Sequence, residues 1–583
     1  MTMSLPIHAV LPALLATLRE RSNAVLVAPP GAGKTTAVAP ALLNQPWCAG
    51  EILLLSPRRL AARAAAERMA ELGGERPGET IGYATRLDTK RSAKTRILVL
   101  TEGIFRNRIQ GDPELGGVSA VLFDEVHERS LDSDFGLALA LDAQTALRPD
   151  LRLVAMSATL DGERFADLMG GAPAIESQGR SHPIEFRHLG RSAEKRVEDE
   201  MAPAIRRALA EAQGSILAFL PGVAEIERTA ERLEGLPPDV DLHRLHGQLE
   251  PGMQRAAIAA PPAGRRKIVL ATSIAETSLT LDGVRVVVDS GLARRPRYDR
   301  AAGVTRLVTE RASQASVTQR AGRAGRQAPG IVYRLWEEAG TQSLPRFDPP
   351  EILEADLSGL LLDCAIWGVA DPRTLKWIDA PPAAAVDEAR KRLLGLGAID
   401  EAGRPTAHGK TIAALPLPPR LAHMMIEAEA RGWGETAAAV AVLISERGLG
   451  GNEADLELRL KRWRGERGRR AEAARGLAKR WLTLTRSSRA QSRDAAPALH
   501  TRPSPSLSPI ASPAAATPPA KTGYPSAGAA FASIQPHPWP GSNGSPWRRS
   551  ADRRRVLASS PRLPSTRRAS RRSSPTASKP GRK

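Results

Sequence analysis

Ala28-Pro29-Pro30-Gly31-Ala32-Gly33-Lys34-Thr35 stands directly after the apolar run Ala24–Val27 and reads as strand, glycine-rich turn and helix start in succession. A turn of this kind aims successive backbone N–H groups at one point, and the helix N-terminus behind it adds partial positive charge. That arrangement suits phosphate oxygens. Gly31, Ala32, Gly33, Lys34, Thr35 and Thr36 are therefore the expected ATP-binding residues, with Lys34 on the β- and γ-phosphates and Thr35 on Mg²⁺. The strict form of the pattern has glycine where this chain has Ala28.

Further short apolar runs follow, at Ile52–Leu55, Ile97–Leu100, Val121–Phe123 and Leu151–Met156, separated by helical stretches such as Arg58–Leu72. A second series comprises Ile216–Leu220, Lys267–Ala271, Val284–Val288 and Ile331–Leu335. Continuous apolar strands alternating with helices predict parallel sheets covered on both faces, here as two α/β domains in tandem joined near Gly179–Pro183. Arg297–Asp299, a turn around Ala301–Gly303 and Val304–Val308 predict an inserted β-hairpin. Helices are expected from about Pro349 onward, with Ala398–His408 closing a small winged-helix unit.

The run Val121–Phe123 ends in Asp124-Glu125-Val126-His127, which puts two carboxylates at the C-terminal end of a buried strand, where open α/β sheets bind ligands. Asp124 is the candidate for Mg²⁺ and Glu125 for orienting or deprotonating a water, with His127 coupling this pair to Ser157 and Thr159. In Gln319-Arg320-Ala321-Gly322-Arg323-Ala324-Gly325-Arg326, the residues Gln319, Arg323 and Arg326 recur at spacings of four and three and share a helix face. Small residues fill the gaps, which suits close approach of another domain. Arg323 and Arg326 are then expected to face transferring phosphate as arginine fingers.

The 583 residues carry a net charge of +20, but the charge is concentrated. From Arg486 to the end, eighteen Lys and Arg stand against two acids, leaving about +4 for everything before. A nucleic-acid partner must therefore be argued from motifs and not from bulk basicity. No apolar run reaches the roughly 20 residues of a membrane helix. The two cysteines, Cys48 and Cys364, lack metal spacing, so neither a disulfide nor a membrane partner is expected, and the cytoplasm is the expected location. A monomer is the working expectation.

These strings together resemble the DEAH/RHA group of superfamily 2 helicases and, within it, the bacterial HrpB-type proteins. Ser56–Arg63, Thr101-Glu102-Gly103, Phe219–Gly222 and Ala271–Thr280 add to the likeness, which covers the chain to about residue 485. The resemblance implies two RecA-like domains that close on ATP and step along one strand of RNA or single-stranded DNA. Arg58, Thr101, Gly103 and Thr277 are then expected on the sugar-phosphate backbone, and the hairpin at the strand fork. The implied order is a RecA-like ATP-binding domain over 1–178 and a second over 179–345. A winged-helix-like unit follows over 346–412, then a helical, ratchet-like region over 413–485. A disordered basic Ser/Pro/Arg-rich tail over 486–583 is either genuine or the product of a reading-frame change. The activity implied is nucleic-acid-stimulated ATP hydrolysis driving 3′-to-5′ unwinding; an ATP-gated RNA clamp or remodeller is the alternative. Ser273 stands where the family often has Asn, and no aromatic residue lies between Glu250 and Pro262 to stack on adenine.

Overall fold

A computed structural model describes residues 5–494 except 30, 86–87, 159–161, 179–181, 193, 248, 277–280, 301–302, 447 and 452. The first sheet holds β1 (Asn23–Val27), β2 (Glu51–Ser56), β3 (Ile81–Ala84), β4 (Thr89–Lys90), β5 (Ile97–Thr101), β6 (Val118–Phe123), β7 (Arg152–Ser157) and β8 (Ala174–Glu176). Their spatial order is β4-β3-β5-β2-β6-β7-β1-β8, and every pairing is parallel except β3 with β4. Side chains alternate between two cores: Val25, Leu53, Leu55, Val121 and Phe123 enter one, Leu26, Ile52, Leu54, Ala120 and Leu122 the other. That alternation on a continuously apolar run is the signature of a strand covered on both faces.

The second sheet has the order β11-β12-β10-β13-β16-β9, all parallel. It comprises β9 (Ile184–His188), β10 (Ser215–Phe219), β11 (Val240–Leu245), β12 (Arg266–Ala271), β13 (Val284–Asp289) and β16 (Gly330–Arg334). Between β13 and β16 the chain leaves the sheet as the antiparallel hairpin of β14 (Leu292–Asp299) and β15 (Val304–Arg311), longer at both bases than the sequence pattern predicted. Both RecA-like domains foreseen from the motifs are thus present as parallel α/β units.

Beyond them the chain is helical: Ser358–Trp367, Ala383–Gly395, Ala407–Ala413, Pro419–Ala430, Gly434–Ser445, Leu456–Gly465 and Arg469–Asp494. The expected wing around Ala398–His408 reduces, among the described residues, to a single antiparallel bridge between Ile399 and Pro405. Leu361, Val386, Met425 and Trp481 from these helices join the core on the Val25/Phe123 face of the first sheet. The structural break expected at Arg486 is corrected. The last helix passes through it to Asp494, with Trp481 and Thr485 buried just before it and Arg486 itself paired with Glu429 at 2.8 Å. The remainder of the tail, 495–583, lies outside the described residues.

Candidate nucleotide site and the cleft around it

The motifs gather because each follows the C-terminal end of a parallel strand: the glycine turn after β1, Arg58 after β2, Thr101 on β5, the carboxylate pair after β6, and Ser157 on β7. Gly31 and Gly33 have φ of 87° and 97°, the left-handed region that glycine enters without steric cost. Ile7 N–H donates to the Ala32 carbonyl at 3.1 Å, so the N-terminal segment braces the turn from outside.

Lys34 opens the helix Lys34–Leu42 and is 4% exposed; its Nζ lies 2.9 Å from Glu125 Oε2. Thr35 Oγ1 donates to Asp124 Oδ2 at 2.6 Å, while the Thr36 hydroxyl turns back to the Gly33 carbonyl. Burial disfavours the Lys34 charge, but Glu125 and Asp124 outweigh it and hold its pKa above the ordinary lysine value. For the carboxylates, burial pushes both up. Lys34 and His127 overcome this at Glu125, which is held below the ordinary range, whereas Asp124, beside the charged Glu125, stays above it. The Glu125 φ of 55° is a left-handed conformation in a non-glycine residue, strain of the kind that collects at functional sites.

His127 connects the two domains. Its Nδ1 accepts the Ala158 N–H at 3.1 Å, so the neutral ring carries its proton on Nε2. That nitrogen stands 2.8 Å from the Gln319 carboxamide nitrogen of the second domain, so the protonated Nε2 donates to Gln319 with the carboxamide turned to present Oε1, and it lies 3.6 Å from Glu125 Oε2. The link to the β7 motif therefore runs through the backbone of Ala158. Ser157 is buried and accepts the Ala28 N–H on its carbonyl at 2.9 Å. Thr159 lies outside the described residues, as does Thr277.

Across the cleft, the helix Gln314–Gly322 starts at a Ser313 cap and carries Gln319 and Arg320; it ends before Arg323 and Arg326, so the helix face expected to join Gln319 to both is corrected, the two arginines following in the turn beyond it. Arg326 comes so close to the glycine turn that a Cβ on Gly31 would sit 2.7 Å from its Nε. Arg323 is buried and donates through Nε and Nη2 to the Glu276 carbonyl at 2.9 and 2.5 Å. Burial first, and the neighbouring Arg326 charge second, lower the Arg323 pKa to about 9. Burial lowers Arg326 also. Two desolvated guanidinium groups thus lie in the cleft, with Arg326 against the glycine turn.

Two partners of Arg320 were given no role by the sequence reading, although Glu276 stands within the Ala271–Thr280 stretch. Glu276 and Asp289 hold Arg320, the most buried arginine of the string, at 2.6 and 2.8 Å, with its guanidinium over the Phe219 ring. Arg320→Ala leaves two buried carboxylates without their cation and is expected to destabilise the protein by about 3–5 kcal/mol, read as a lower urea midpoint. Arg58, expected on nucleic acid, is committed here to the cleft: Nη1 donates to the Ser273 carbonyl at 2.6 Å and Nη2 pairs with Glu128 at 3.2 Å. Thr101 precedes the helix Glu102–Gly111 as its N-cap residue, and Gly103 lies in the first turn, where a Cβ would come 3.4 Å from Asp132 Oδ2.

The DEAD/DEAH box helicase family matches residues 8–168, and the helicase conserved C-terminal domain matches residues 200–328. The chain belongs to the DEAD/DEAH box helicases. Over 444 residues, 76% of its length, this helicase-family chain is 48% identical to the ATP-dependent RNA helicase HrpB of Escherichia coli. It is 33% identical over 442 residues, 74% of its length, to the probable ATP-dependent RNA helicase DHR2 of Saccharomyces cerevisiae. The crystal structure of the Escherichia coli DEAH/RHA helicase HrpB superposes with a TM-score of 0.77 at 45% identity, covering 83% of this chain and 61% of that one. The chain spans 55% of curated HrpB and 60% of DHR2. The matched helicase segments contain the glycine turn and carboxylate pair in one case and the arginine string in the other.

Proposed function

We propose that this chain hydrolyses ATP under nucleic-acid control and uses the resulting domain movement to step along and unwind RNA. The observation that carries the reading is the approach of Arg326 to Gly31 across the cleft, with Gln319 touching His127 beside it. Groups from two domains converge on the glycine turn, so nucleotide bound there and domain closure would be coupled. Gly31–Thr36 would bind the phosphates, with Lys34 exchanging Glu125 for phosphate oxygen. Glu125, released and ionised, would orient the attacking water, and Arg323 and Arg326 would meet the charge that develops on the γ-phosphate. Thr35 and Asp124 present hydroxyl and carboxylate oxygens, the hard donors that suit Mg²⁺, and are the residues that would hold it. Bound there, the ion would neutralise charge on the β- and γ-phosphates.

RNA is the favoured strand because HrpB and DHR2 are named RNA helicases. Arg58, Thr101, Gly103 and Thr277 remain the proposed backbone contacts, Arg58 by leaving the Ser273 carbonyl. Two buried free thiols, Cys48 and Cys364, suit a reducing cytoplasm. The working boundaries are 1–178, 179–345, 346–412 and a helical region reaching Asp494. Strand displacement from a fluorescent RNA duplex with a single-stranded overhang tests the proposal: unwinding that requires hydrolysable ATP supports it. ATP-dependent RNA binding without displacement would favour the clamp reading.

The hairpin is anchored for a role of its own. Arg392 donates to the Tyr298 hydroxyl at 2.5 Å, Arg297 and Arg295 pair with Glu354 and Asp348, and Val304, Leu307 and Val308 remain exposed. Replacing Tyr298–Val308 by a short Gly/Ser turn is expected to suppress displacement while sparing RNA-stimulated ATPase. Equal loss of both would make the hairpin a domain brace.

A further inference from the structure

Far from the cleft, two histidines and a glutamate meet on the helical region. His408 lies in the first turn of Ala407–Ala413, a helix capped by Thr406 Oγ1, which accepts the Gly409 N–H at 2.9 Å. His423 and Glu427 occupy positions i and i+4 of Pro419–Ala430 and so share a face. His408 Nε2 and His423 Nδ1 are 2.8 Å apart, the rings are nearly perpendicular, and a Glu427 oxygen completes a set of donors all within 4.8 Å of one another.

We propose that His408 Nε2, His423 Nδ1 and Glu427 bind a divalent transition-metal cation, zinc from the donor chemistry, which clamps these two helices together. Two imidazole nitrogens and one carboxylate oxygen form a known zinc set, with a fourth position left to water at this half-exposed surface. The scaffold is rigid. Ala422, Met425 and Ile426 bury the opposite side of their helix, and Gly409 packs so tightly on the Ala398 carbonyl that a Cβ would clash. Arg431 pairs with Glu427 at 3.3 Å, an outer contact that orients the carboxylate without filling both of its oxygens. Metal entry replaces the hydrogen bond between the rings. The donor ring moves its proton to its other nitrogen, and the two ligand nitrogens separate to roughly 3.3 Å, the span of tetrahedral ligands about 2.05 Å from zinc.

The test uses the untagged full-length protein, dialysed against chelator and then titrated with Co²⁺ in the absence of nucleotide. The expected result is uptake of one equivalent with the visible bands of four-coordinate Co²⁺, their displacement by Zn²⁺, and a higher melting temperature with Zn²⁺. His408→Ala, His423→Ala and Glu427→Gln should each weaken uptake by about tenfold or more. Titration of the unmodified protein decides alone if a variant fails to fold: only the weak pink spectrum of the hydrated ion would overturn the site. Uptake unchanged in both histidine variants would overturn it equally.

Discussion

Arg326→Ala is expected to lower RNA-stimulated ATP turnover by about 10³-fold, the low end of the arginine-finger range, while nucleotide binding changes little. The side chain belongs to the second domain but lies against Gly31 of the first, so it reaches the phosphate position only when the cleft is closed. Arg323 sits beside it, held to the Glu276 carbonyl, and each guanidinium raises the cost of the other. An anion between them relieves that repulsion most when its charge is greatest, as in the transition state. Arg326→Lys should recover only part of the loss, because an ammonium cannot present the planar fork of donors. A loss below tenfold for Arg326→Ala would reduce the residue to a structural contact.

Glu125→Gln is expected to keep ATP binding and to cut turnover by about 10²–10⁴-fold, the usual worth of a positioned general base. Glutamine matches the shape of the side chain and tolerates the same backbone conformation, so the left-handed turn at this position should survive. What disappears is the anion that Lys34 and His127 stabilise. Lys34, deprived of that partner, should hold phosphate at least as tightly. Turnover near the parental rate would show that another group handles the water.

The parallel sheets were legible because strands buried on both faces need continuous apolar runs, and β1, β2, β5 and β6 have them. Missing from that reading were β3, β4, β8, β9 and β11. Ile81–Ala84 contains Gly82, Ala174–Glu176 has only three residues, and Val240–Leu245 contains Asp241, His243 and Arg244 on an edge strand. None presents an apolar run to recognise. The candidate cleft was more readable than its wiring. Lys34, Asp124, Glu125, Gln319 and Arg326 are drawn together in the cleft, whereas Asp289 ends β13 with no pattern of its own and Glu276, though inside the Ala271–Thr280 stretch, shows its part only as a partner of Arg320. The His408–His423–Glu427 group was equally silent, because its ligands are brought together by the packing of two helices and not by a compact motif. At Arg486 the change in composition was real but the helix ignored it, since burial of Trp481 and Thr485 carries the last helix onward.

The most direct measurement is the steady-state ATPase rate of the full chain with saturating RNA, with single-stranded DNA and with no polymer. If the two domains form one nucleotide site whose closure nucleic acid controls, hydrolysis should be slow alone and rise severalfold or more with RNA, and the rise should vanish in Arg326→Ala. Hydrolysis that is absent under all three conditions, or equally fast with and without polymer, would contradict it.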